Sequence, residues 1–196
     1  MNKSKMFFSI VTLFIICLAS AANTFAQTDN KPPQAEPVYE IVLHTVVASN
    51  NASGKTDLPQ TLSGAIKKLK NNFSFTNYRV MSTYLERVAN TGSVEFKSFA
   101  PLPNALPIFS EWSLGGLRNL QNSRGQTSIQ VQSFRFGQRV PIRTGVNDSS
   151  VVNYENIGLT LSRFGLPLGE PTVIGSLSTA NEDLMFLVLT VNLMEN

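Results

Sequence analysis

The stretch Leu184-Met185-Phe186-Leu187-Val188-Leu189 constrains the fold most, because it is apolar at every position and so presents two dry faces if extended. Met185, Leu187, Leu189, Val191 and Leu193 form one face at period two, and Leu184, Phe186 and Val188 form the other. A strand of this kind has to be covered on both sides. It is expected to be central in a sheet and buried between layers.

The rest of the chain supplies material for such a sheet. Through VYEIVLHTVVA, Tyr39, Ile41, Leu43, Thr45 and Val47 share one face, with Glu40 and His44 on the other. Tyr78 to Val88 reads as a strand, Asn90-Thr91-Gly92 as a turn, and Ser93 to Phe99 as the hairpin partner. Thr127 to Phe136 is extended, and Gly137-Gln138 is read as a bend into Val140-Pro141-Ile142. Pro141 lacks an amide donor, which places this piece at a sheet edge or a strand start. Val151 to Phe164 is the longest extended candidate, with Gly158 marking a bulge or a close backbone approach. Gly165 to Gly169 turns, Thr172 to Ser178 continues extended, and Ala180 to Asp183 turns again. Across residues 100–109, Pro101, Pro103 and Pro107 break regular structure, and the state of the segment around Trp112 is not assigned by its pattern. Trp112 itself is read as a buried residue over the core.

Helical spacing stands out once. Leu62, Ile66, Leu69 and Phe73 recur at four, three and four residues, with Lys67, Lys68 and Lys70 pointing away. Pro59 suits the first turn, and Asn71-Asn72 are expected to end the helix in a left-handed cap. The lysines are read as a solvated face. The fold class is therefore α+β and mostly β, with antiparallel or mixed sheets and one principal amphipathic helix at about residues 58–72.

The first residues set the expected compartment. Lys3 and Lys5 precede an apolar run from Met6 to Leu18, and small residues lead to Thr24-Phe25-Ala26, the layout of a secretory signal peptide. That run is short of the roughly 20 residues needed to span a bilayer as a helix. Residues 1–26 are expected to be removed, residues 27–37 to act as a proline-rich linker, and residues 38–126 and 127–196 to pack as one globular unit. Cys17, the sole cysteine, lies inside the apolar run, so the mature chain would carry no thiol, disulfide or thiolate ligand. Ile15 and Ile16 stand where a lipoprotein peptidase wants small residues, which argues against acylation of Cys17. An exported chain without disulfides fits the periplasm or the outer membrane of a Gram-negative-type bacterium. Losing Lys3 and Lys5 lowers the formal charge from +3 to +1. Nucleic acid is thereby discarded as a partner.

From residue 127 onward, the order of features resembles the C-terminal β-domain of bacterial secretins, the multimeric channels of type II and type III secretion and type IV pilus systems. The residues that carry the resemblance are Gly137-Gln138-Arg139-Val140-Pro141, then Tyr154-Glu155-Asn156-Ile157-Gly158-Leu159-Thr160-Leu161, then Thr172 to Ser178, and finally Leu184 to Thr190. The resemblance implies an envelope β-domain that associates with itself or with components of a secretion or pilus apparatus. It makes Val140, Pro141, Ile142 and Gly158 the candidate assembly edge, with membrane contact open but no membrane-crossing helix after residue 26.

Catalytic chemistry is poorly provided for. General acid-base or nucleophilic catalysis needs a proton-transfer group beside its partner. His44 is the sole histidine and sits in mid-strand, no Gly-x-Ser-x-Gly elbow or phosphate loop occurs, and Asp148, Glu182 and Asp183 read as turn residues. No enzyme activity, cofactor or metal is expected. The alternative to an assembly component is a monomeric periplasmic binding module in which Tyr78, Tyr84, Phe96, Phe99 and Trp112 line an apolar pocket.

Overall fold

The computed structural model describes residues 36–50, 58–100, 107–121, 125, 127–144, 151–179 and 183–194. The expected signal peptide, most of the linker, much of the proline-rich segment and residues 145–150 lie outside the described residues. Among the described residues eight strands run in chain order: β1 Val38–Ser49, β2 Asn77–Ala89, β3 Ser93–Ala100, β4 Ile108–Gln121, β5 Thr127–Thr144, β6 Val151–Pro167, β7 Thr172–Ser178 and β8 Leu184–Met194. Between β1 and β2 a 3-10 turn, Gln60–Leu62, leads into the helix α1, Ser63–Asn72. The α+β, mostly β class holds, and every strand pairing is antiparallel.

Two four-stranded sheets form, ordered β2-β1-β8-β7 and β3-β4-β5-β6. Each takes two strands from either side of residue 126. Tyr39, Ile41 and Leu43 of β1 and Met185, Leu187 and Leu189 of β8 pack into one core with Trp112, Leu114, Phe134 and Phe136 of the second sheet. On the opposite face of the first sheet, Val46, Ala48, Phe186 and Val188 meet Leu62, Ala65, Ile66 and Leu69 of α1 and its preceding turn. The two faces of β8 therefore serve two different cores. Its residues Met185 to Val191 are all buried, as a strand apolar on both sides requires.

Several expectations are corrected. β2 and β3 are not a hairpin: Asn90, Thr91 and Gly92 carry the chain from one sheet to the other, and β2 pairs with β1 while β3 pairs with β4. Thr91 takes a left-handed φ of 62° there, and its amide donates to Leu117 O at 3.1 Å. Gly137-Gln138 does not bend the chain, because β5 runs unbroken through both. α1 has no left-handed cap. It ends at Phe73, which is extended and donates its amide to Leu69 O. The turn expected from Gly165 comes later, since β6 continues to Pro167 and Gly169 supplies the positive φ of 76°. The unassigned segment around Trp112 is β4, and Trp112 is buried as expected.

A crease crosses the second sheet. Inward residues are even-numbered in Trp112, Leu114, Phe134 and Phe136 but odd in Leu117, Ile129 and Val131; on β6, Leu159 and Leu161 give way to Phe164 and Leu166. The phase changes in all three strands at the row of Gly116, Gln132 and Arg163, so the register on either side is unchanged. Gly116 and Arg163 have φ of 66° and 49°. A side chain on Gly116 would collide with Gln132, its Cβ lying 2.6 Å from Gln132 Cγ, which accounts for glycine at the crease.

Candidate functional site

The second sheet is rich in chemistry on its outward face. Pairing Phe96 with Trp112, Phe136 and Leu159 fixes the inward row, so the next residues along each strand point out. Across β3, β4, β5 and β6 the outward rows are Phe99, Phe109, Arg139 and Asn156; then Lys97, Glu111, Gly137 and Gly158; then Glu95, Ser113, Arg135 and Thr160. Gly137 and Gly158 stand opposite each other and bring no side chain to the middle of this grid, where the Glu111 side chain lies against Gly137. Around them lies an open bay of about 380 Å³ walled by Lys97, Phe109, Glu111, Arg135, Arg139 and Thr160.

The charges in the bay differ in their engagements. Lys97 Nζ lies 2.8 Å from Glu95 Oε1, and this hydrogen bond holds the Glu95 carboxyl below its usual range and the lysine above its own. Both groups are exposed, so the pair adds little stability. Arg135 and Arg139 make no ion pair among the described residues. The Arg139 guanidinium instead lies over the Phe109 ring, 4.8 Å from its centroid. Phe109 in turn meets Tyr154 edge-on at 5.6 Å and Phe99 at 6.5 Å, giving a row of rings on the outside of the sheet.

Beyond Arg139 the sheet narrows to two strands. β4 ends its pairing with β5 at Phe109 and Arg139, while β5 and β6 continue together from Val140 and Glu155 to Thr144 and Val151. Val140, Pro141 and Ile142 face Glu155, Tyr154 and Asn153 there, with no partner strand on their other side among the described residues. Gly158 is three pairs further in, on β6, which is an edge strand along its whole length. The register passes through Gly158 without a bulge. The close approach is real, because a Cβ on Gly158 would stand 2.6 Å from Phe136 O. The edges of the first sheet are treated differently: β2 and β7 each carry a register irregularity, at Met81 and at Ile174, which blunts them.

The five aromatics proposed to line a pocket do not come together. Tyr84, Phe96 and Trp112 pack ring to ring within the main core, with centroids 5.1 to 6.4 Å apart. Tyr78 belongs to the cluster under α1, and Phe99 is 64 % exposed on the outer face. None of the five borders the bay. Trp112 Nε1 and Tyr39 Oη are buried without a hydrogen-bond partner among the described residues.

His44 is held in the first sheet, 8 % exposed, with Nδ1 hydrogen-bonded to Thr83 Oγ1 at 2.9 Å. Burial pushes its pKa down. No group of three or more His, Cys, Asp or Glu is placed to hold a metal among the described residues. No described helix is long and apolar enough to cross a membrane.

Arg135 and Arg139 escaped the sequence reading, although their signal was present. Arg135, Gly137 and Arg139 alternate with Phe134, Phe136 and Gln138 at period two, which puts them on one outward face. Which residues of β4 and β6 join them depends on register, and a single sequence does not reveal it.

No protein-family model matches the chain, and no curated protein matches it. Among solved structures it is similar to the Klebsiella pneumoniae type II secretion system outer membrane complex of PulD, PulS and the PulC HR domain, at 11% identity and a TM-score of 0.38. That likeness covers 83% of this chain and 41% of the other. It is also similar to the Salmonella SPI-1 type III secretion injectisome secretin InvG in its open gate state, at 11% identity and a TM-score of 0.36, over 94% of this chain and 65% of that one. The chain thus spans less than two thirds of either. At these TM-scores neither likeness bears on what the chain does.

Proposed function

We propose that this chain is a non-enzymatic β-domain of the bacterial envelope that assembles, with copies of itself or with components of a secretion or pilus apparatus, by strand addition at the β5–β6 hairpin. One observation carries the reading. Among the described residues Val140 to Ile142 of β5 pair only with β6, so this piece of β5 offers backbone groups, apart from the amide that Pro141 lacks, to a further strand. Val152 and Tyr154, each 39 % exposed, add apolar surface on the same arm. No bulge interrupts this edge, unlike those of β2 and β7. The secretin-like segments of the sequence fall on β5, β6, β7 and β8 in order.

The test places a lysine on each arm, Ile142→Lys and Val152→Lys, and measures complex size in envelope extracts after thermal melts have established folding. The wild-type chain is expected in a large complex and both folded variants in a much smaller species. A monomeric wild type, or a complex unaltered by both substitutions, would overturn the proposal.

A further inference from the structure

We propose that the outward bay on the second sheet is a binding site for carboxylates, seating an acidic group between Arg135 and Arg139 above the glycine floor of Gly137 and Gly158, beside Glu111. The site adjoins the hairpin arm, since Phe109 touches Tyr154, but its chemistry does not depend on the assembly reading.

The floor comes first. Gly158 has to be glycine, because a Cβ there would press on the backbone of Phe136. Gly137 is under no such demand: its φ is not positive, and a Cβ would meet Glu111 Cγ at 3.5 Å and Ile157 O at 3.9 Å, ordinary contacts. The missing side chain at Gly137 therefore leaves room that the backbone itself does not require, part of which the Glu111 side chain takes. At about 380 Å³ the bay has the size of a small-ligand pocket.

The walls decide the chemistry. Arg135 and Arg139 sit two residues either side of Gly137 on the same face, so their long side chains can converge above it. Neither guanidinium is consumed by a carboxylate of the described chain. Stacking on Phe109 holds Arg139 at the rim, which reduces the rotamer freedom lost when it grips a ligand. Lys97 at the rim is held by Glu95, so the cations left to a ligand are Arg135 and Arg139, with the carboxylate of Glu111 beside them. A guanidinium fork matches a carboxylate or a phosphate. Glu111 separates the two, since its Oε1 lies 3.5 Å from where a Gly137 Cβ would stand. A compact dianion set down beside it meets more repulsion than a singly charged carboxylate.

The carboxylate can belong to an acidic peptide or to a free dicarboxylic acid, and titration of isotope-labelled protein separates them. The probes are a capped diglutamate peptide, glutarate and inorganic phosphate, at equal ionic strength. Saturable shifts of the Gly137 and Gly158 amides are expected with the carboxylate probes, with phosphate at least tenfold weaker. Arg135→Gln and Arg139→Gln, both at exposed positions, should each weaken binding about tenfold through loss of a charge-assisted hydrogen bond. Glu111→Gln should tighten it, an effect that a structural role for Glu111 would not produce. A tighter peptide identifies a peptide ligand, and equal affinities identify the free acid. Shifts that do not saturate, phosphate binding as tightly as glutarate, or indifference to both arginine substitutions would overturn the proposal.

Discussion

A Cβ placed on Gly158 would stand 2.6 Å from the carbonyl oxygen of Phe136 and 3.3 Å from the Cα of Gly137, the residue it faces across β5 and β6. Backbone atoms in paired strands cannot yield as the end of a flexible side chain can.

The two facing glycines should therefore respond unequally to alanine. Gly158→Ala should cost about 1–3 kcal/mol of stability through a clash with backbone, whereas Gly137→Ala meets only ordinary contacts and should remain near the wild type. Urea denaturation midpoints of the two variants check this. Equal midpoints would show that the strands separate freely at this point.

His44 should make stability fall in mild acid. Burial lowers its folded-state pKa below the ordinary 6.5, so the unfolded chain binds a proton more readily than the folded one. Its contribution is fully present above about pH 6.5 and is lost as pH falls toward and through the folded value. Comparing urea midpoints at neutral pH and near pH 5 should show a smaller drop in His44→Gln than in the wild type. An identical drop would assign the acid sensitivity to other groups.

β8 should be the most sensitive strand. Leu187 is fully buried in the core between the sheets, and Leu187→Ala should cost about 2–5 kcal/mol, depending on how far the cavity collapses. Leu187→Asp should prevent folding, because its carboxylate would be buried without a partner. A melting temperature unchanged by the alanine substitution would contradict the packing described for this strand.

How much of this was legible in the sequence varied with the range of the interaction involved. β8 and α1 could be read because their burial is written into local periodicity: Leu184 to Leu189 is apolar on both faces, and Leu62, Ile66 and Leu69 lie on one stripe. The destination of β3 could not. Asn90-Thr91-Gly92 is a good turn in either case, and only long-range pairing decides that the chain leaves the first sheet there. The crease was hidden for a related reason. A change of phase at Gly116 looks like weakened strand character in one strand, and it becomes a feature only when Gln132 and Arg163 change phase in the same row. The bay as a whole could not be read, since its residues come from four strands, even though Arg135, Gly137 and Arg139 share one face of β5.

The order of pairing has a consequence for when the domain can form. β1 begins at Val38, and its neighbour in the first sheet is β8, with Val38 opposite Met194. Until the last of these residues has left the ribosome, β1 lacks one partner, β7 has none, and the main core lacks Met185, Leu187, Leu189 and Val191. Contacts so distant in sequence form late and slowly. The second sheet can therefore pair before the first, whose centre stays open until β8 arrives to close both cores.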